Sequence, residues 1–128
     1  MTWYKIAQTD EREKVKNLES SLEAMYPGLS LDIWVSNSGY IELAKIQLPP
    51  EMQGQGIGHK VIGELKNLAQ SLDMPIVLRP EPEPRKKKKL MDFYKDLGFV
   101  QNRGRNTDFS LSTPFGASMY WRPQDDLV

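Results

Sequence analysis

Between Tyr40 and Leu72 the chain passes from an alternating apolar run, through three glycines, into a helical pattern, and few folds accept that succession. Ile41 and Leu43, then Ala44, Ile46 and Leu48, read as a strand whose two faces are both partly buried. Pro49-Pro50 ends it, because proline cannot extend a ladder. Gln53-Gly54-Gln55-Gly56-Ile57-Gly58 follows, and its glycines let a backbone come close to a ligand. Ile57, Val61, Ile62, Leu65, Leu68, Ala69 and Leu72 then recur at helical spacing, which puts the last glycines at a helix N-terminus. Free N–H groups and the helix dipole favour an anion there. Taken alone, the glycines fit a plain strand-to-helix turn equally well.

The remaining segments arrange themselves around this unit. Trp3 to Thr9 is aromatic-rich and partly alternating and reads as a first strand, with Thr9 or Asp10 as the cap of a following helix. That helix spans Glu11 to Tyr26, with Val15, Leu18, Leu22, Met25 and Tyr26 on its apolar side, and stops at Pro27-Gly28. Leu29 to Val35 reads as a strand, and Ser36-Asn37-Ser38-Gly39 as the turn of an antiparallel hairpin with the strand from Tyr40. After the 57–72 helix, Asp73-Met74-Pro75 breaks the pattern and Ile76-Val77-Leu78 reads as a short buried strand. Strand, helix, strand in this order implies a right-handed crossover and parallel pairing. Arg79 to Pro84 is proline-rich and irregular; Leu90, Met91, Phe93, Tyr94 and Leu97 mark a helix capped by Gly98. Phe99-Val100 begins another strand, and Phe109-Ser110-Leu111 and Ser118 to Trp121 are candidate last strands around Pro114-Phe115-Gly116.

Bulk properties narrow the chemistry. The 128 residues suffice for one cored domain, taken as residues 1–123 with a loose tail at 124–128. Seventeen basic and seventeen acidic residues cancel, so the net field steers nothing towards nucleic acid. Absence of cysteine excludes disulfides, a thiol nucleophile and thiolate zinc sites, and a single histidine argues against a His-rich metal centre, so no metal is expected. No apolar run approaches the ~20 residues of a membrane span, and the N-terminus lacks a leader pattern, so a soluble, cytoplasmic protein is expected.

Two motifs together resemble the GNAT superfamily of N-acetyltransferases, which transfer acyl groups from acyl-coenzyme A. Gln53-Gly54-Gln55-Gly56-Ile57-Gly58 is similar to the family's Arg/Gln-x-x-Gly-x-Gly/Ala loop, and Phe93-Tyr94-Lys95-Asp96-Leu97-Gly98-Phe99 to its later Phe-Tyr-x-x-x-Gly-Phe signature. They stand about forty residues apart, in the family's order. Other phosphate loops are excluded by the residues themselves: no Gly-Lys-Ser/Thr follows the glycines, and Ile76-Val77-Leu78 leads into Arg79-Pro80 rather than an acidic residue. The resemblance implies an α/β fold of the α+β type, a mixed and mainly antiparallel central sheet flanked by helices, with the parallel strand-helix-strand unit at its centre.

The resemblance also assigns roles. Backbone donors from Gln53, Gly54, Gln55, Gly56, Ile57 and Gly58, with His59, would hold the coenzyme A pyrophosphate, and main-chain groups of Ile46 and Leu48 would pair with the pantetheine arm. A backbone N–H near Leu48 would polarise the thioester carbonyl. Tyr94 occupies the position of the family's general acid, where a phenol could give a proton to the departing thiolate. As a plain helix residue it would pack beside Phe93 and Leu97. Glu42 lies eleven residues before Gln53, about where some members place a general base, and unbroken alternation sets it on one face with Ala44, Ile46 and Leu48. As an ordinary strand residue it would be solvated. Where the family often has an Asn contacting the coenzyme, this chain has Lys87, inside the run Arg85-Lys86-Lys87-Lys88-Lys89. That run is either a solvated first turn of the helix or an attraction for phosphates.

The implied function is transfer of an acetyl group from acetyl-coenzyme A to an amine, by direct attack in a ternary complex. A small amine or a peptide end would be the acceptor, and a homodimer is left open. Trp34, Phe115 and Trp121 would either line the acceptor site or sit in the core. The alternatives are a non-catalytic module that keeps the coenzyme pocket and, from another class, a nucleic-acid-binding domain using 85–89, Arg103 and Arg105 with Tyr94 and Phe99.

Overall fold

The computed structural model describes residues 3–79, 87–111 and 118–123. The chain opens with a long helix, α1 (Trp3–Met25), not with a strand. Asp10 lies inside it and pairs with Lys14 one turn on, at 3.2 Å, instead of capping it. Val15 and Leu22 on its inner side are buried. The hairpin follows as β1 (Ser30–Val35) and β2 (Ile41–Gln47), closed by a turn in which Ser36 N–H donates to the Tyr40 carbonyl at 2.8 Å.

The reason the N-terminus is helical lies at the outer edge of β1. Leu31 N–H donates to the Glu23 carboxylate at 3.1 Å and Ile33 N–H to the Glu19 carboxylate at 3.2 Å. Two donors that an added strand would need are therefore taken by side chains of α1, which shields the edge.

From β2 a 3-10 turn over Pro50–Met52 leads into α2 (Ile57–Leu72), then β3 (Ile76–Leu78), α3 (Lys87–Asp96), β4 (Val100–Gln101) and β5 (Met119–Trp121). The sheet order is β1-β2-β3-β5-β4. Only β2 and β3 pair in parallel; the other three contacts are antiparallel. Phe109–Leu111 forms a 3-10 turn rather than a strand. Asp108 accounts for this: its carboxylate accepts from Ser110 N–H at 3.0 Å and its carbonyl from Leu111 N–H at 3.1 Å, a local closure that competes with a ladder. The expected turn at Pro114 to Gly116, most of the 79–84 segment and the tail lie outside the described residues.

The register sorts side chains onto two faces. Leu31, Ile33, Ile41, Leu43, Ile76, Leu78, Met119 and Trp121 point to one, where they form the main core with Val15 and Leu22 of α1, Val61, Ile62, Leu65 and Ala69 of α2, and Tyr94 of α3. A smaller cluster of Tyr40, Val77, Leu111 and Tyr120, with Val100 against it, covers the other.

Candidate functional site

The pairing of β1 with β2 shifts by one residue. Asp32 faces Lys45 but Ile33 faces Leu43, which leaves Ala44 as the extra residue of a β-bulge. The bulge corrects the alternation read from the sequence: Ile41, Leu43 and Ile46 share the helix-bearing face, whereas Glu42 lies on the opposite face, in register with Trp34 and Val77. β2 also outruns its parallel neighbour. It pairs with β3 only from Ile41 to Leu43, against Ile76 to Leu78, and then continues to Gln47.

Where the two strands part there is an open cleft of about 210 Å3, lined by Leu43 to Gln47 of β2, Leu78 and Arg79 at the end of β3, and Leu90 and Tyr94 of α3. Alternation from the Ser36–Tyr40 bond turns the main-chain groups of Lys45 and Gln47 towards β1. Those of Ile46, between them, face the cleft side. Leu48 is committed in part, since its carbonyl accepts from the Gln53 side-chain amide at 3.0 Å.

The glycine loop divides its tasks. Gly54 and Gly56 both have φ of 78°, a left-handed conformation that side chains disfavour, and Gly56 is the N-cap of α2. The Gln55 amide donates to the Glu51 carbonyl at 2.8 Å and folds the loop on itself. The first turn of α2 carries no side-chain cap and no acidic residue, and the first helical bond runs from Lys60 N–H to the Gly56 carbonyl. The N–H groups of Ile57, Gly58 and His59 therefore have no intrahelical acceptor.

Gly58 serves a different purpose, because a Cβ there would lie 3.0 Å and 3.2 Å from two ring atoms of Phe93. The two sequence motifs thus touch. His59 packs edge-on against Phe93, with centroids 5.0 Å apart, and its Nε2 lies 3.0 Å from the Asp96 carboxylate. Lys66 adds a bond from α2 to the Leu97 carbonyl at 2.9 Å.

Tyr94 sits at the inner wall of the cleft, 6% exposed, with edge contacts to Phe93 and Phe99. Its hydroxyl makes no hydrogen bond among the described residues. Burial pushes its pKa up to about 12 from 10.0, so the phenol is neutral at ordinary pH and keeps an O–H that can donate. Glu42 is half-buried and, among the described residues, has neither a hydrogen bond nor an ion pair. Its face is the one opposite Tyr94, and it directly precedes the cleft-lining Leu43.

Lys88 and Lys89 are exposed in the first turn of α3. Tyr94 and Phe99 are both buried, so neither offers a stacking surface to a base. Trp121 is core, Trp34 is 37% exposed, and Phe115 lies outside the described residues. Lys45, Arg79 and Leu90 also line the cleft, although neither motif gives them a role there. A signal existed, since ligands of open α/β sheets bind at the carboxyl ends of parallel strands, and Arg79 directly follows β3.

No protein-family model and no curated protein matches the sequence. Solved structures do match the fold. The anti-CRISPR protein AcrVA5 aligns with a TM-score of 0.55 over 73% of this chain and 90% of that one, at 21% identity. AtaTR bound with acetyl-coenzyme A aligns with a TM-score of 0.51 over 76% of this chain, at 17% identity, and this chain spans 57% of that one. The mixed five-stranded sheet with its flanking helices is the GNAT fold.

Proposed function

We propose that this chain is an acyl-coenzyme A dependent N-acyltransferase that carries an acetyl group to an amine by direct attack within a ternary complex. The observation that carries the reading is the parting of β2 from β3 after Leu43 and Leu78, which opens a cleft between a strand edge and Tyr94. Its neighbourhood suits the donor. The uncapped N–H groups of Ile57, Gly58 and His59 suit a pyrophosphate, and the free edge at Ile46 suits the amide-bearing pantetheine arm. AtaTR, of the same fold, is seen with acetyl-coenzyme A.

In this reading Tyr94 stabilises the leaving thiolate chiefly by a hydrogen bond. A thiol has a pKa of about 8.5 and the buried phenol one of about 12, so complete proton transfer would be uphill by ~5 kcal/mol. Glu42 lies on the other side of the sheet, where an amine would approach the thioester from the face opposite Tyr94, and its carboxylate takes the proton that the ammonium must lose. No residue of the chain becomes acylated.

The test is coenzyme A binding by thermal shift, followed by thiol release from acetyl-coenzyme A with a panel of amines. Ligand at about 100 times its Kd should stabilise the protein by ~2.7 kcal/mol. Tyr94→Phe should keep coenzyme affinity and lower kcat about 10- to 100-fold, the worth of a hydrogen bond to a charged group. No thermal shift with millimolar coenzyme A would refute the reading. Binding without thiol release for any amine would reduce the protein to a coenzyme-binding module.

A further inference from the structure

Apart from Met25 at the end of α1, Trp34 is the one large apolar side chain among the described residues that is exposed, at 37%. It lies on β1, directly across from Glu42, on the sheet face opposite Tyr94. Asp32, on the same face, is already answered by Lys16 at 3.8 Å and faces Lys45 in register. Among the described residues Glu42 has no such partner, and a cation would replace the hydration that a half-buried carboxylate gives up. An exposed indole in register with a carboxylate that has no partner among the described residues, one residue from the mouth of the cleft, is complementary to a cation on an apolar stem.

We infer that Trp34 and Glu42 together form the acceptor subsite, and that the acceptor is an unbranched aliphatic primary amine whose methylenes lie on the indole while its ammonium meets the carboxylate. This rests on the acyltransferase reading and narrows it. Glu42 takes one proton from the ammonium, and the freed nitrogen attacks the thioester carbonyl carbon. As the C–N bond forms the C–S bond breaks, and the thiolate departs against the Tyr94 hydroxyl. Of the two protons that the nitrogen gives up, one ends on the sulfur as free coenzyme A thiol and one in solvent. Aromatic amines lack the cation, and a peptide α-amine lacks the stem, so both are poor acceptors.

The experiment follows thiol release from acetyl-coenzyme A with four probes: 1,5-diaminopentane, Nα-acetyl-lysine amide, aniline, and a lysine-free peptide with a free N-terminus. The first two share the alkylammonium group and separate a free small amine from a lysine side chain. Both should react at least about tenfold faster, by kcat/KM, than the last two. Trp34→Leu should raise KM for the alkylamines about tenfold and leave coenzyme A affinity unchanged, and Trp34→Phe should restore most of the loss. Preference for aniline or the peptide, or an alkylamine KM that Trp34→Leu does not move, overturns the subsite and leaves the acyltransferase reading intact. Coenzyme A binding with no thiol release from any probe removes both.

Discussion

Substitution of Gly58 by alanine tests how the two motifs are joined. In a helix with open space around it the change would stabilise by about 0.5–1 kcal/mol, because alanine loses less backbone freedom. Here the new methyl would meet Phe93 at 3.0 Å and 3.2 Å, closer than ordinary carbon contacts. The ring cannot simply turn away, since His59 stands against one side at 5.0 Å and Tyr94 against another at 5.2 Å. Overpacking of this kind costs about 1–3 kcal/mol, so Gly58→Ala should destabilise by ~1 kcal/mol net. For a chain of 128 residues that is a fall in Tm of roughly 4 °C. With Phe93→Leu the obstruction is gone, and the same change should stabilise. Urea unfolding of the four proteins of the double-mutant cycle should therefore give a coupling of about 1.5–2 kcal/mol. A coupling below ~0.5 kcal/mol, or a stabilising Gly58→Ala in the parent, would show that the glycine does not serve the contact between α2 and α3.

Two further outcomes follow from groups already described. Because the Tyr94 pKa is raised to about 12 in the folded protein, the unfolded chain loses its phenol proton first as pH rises past 10, and stability is lost across that window. The stability of the wild type relative to Tyr94→Phe should fall by ~1.4 kcal/mol between pH 9 and pH 11, and a difference flat over that range would show an unburied phenol. Glu23→Ala should leave the Leu31 N–H without an acceptor, lowering stability in urea by about 1–2 kcal/mol and promoting self-association through the bared edge of β1. An unchanged unfolding midpoint with a monomeric elution profile would mean that water serves that edge as well as the carboxylate does.

The segments whose periodicity is answered by local packing were legible. The helix read over 57–72 is α2 to the residue, and the strands at 29–35 and 76–78 fall where β1 and β3 lie, because the repeats of α2 and β1 follow one buried face and the unbroken apolar run of β3 is buried on both. Trp3 to Thr9 misled because its composition suits a strand, while the edge such a strand would extend is occupied by Glu19 and Glu23 from the next turns of the same helix. Phe109 to Leu111 was lost to a side chain, Asp108, whose bonds to the backbone are invisible to hydrophobic pattern. At the site, both motifs were legible as residues, but not the contact between Gly58 and Phe93. The face of Glu42 was misread for a related reason. A period of two assumes an unbroken ladder, and the extra residue at Ala44 is defined only by the pairing of β2 with β1.

Among the described residues, the three rungs from Ile41–Ile76 to Leu43–Leu78 are the strand pairing that joins the β1–β2 hairpin to the three strands beyond it. In backbone terms the sheet is two small sheets stitched at one end and gaping at the other. A molecule that hydrogen-bonds along the gap lengthens the stitching, so occupancy of the cleft and cohesion between the two halves become one quantity.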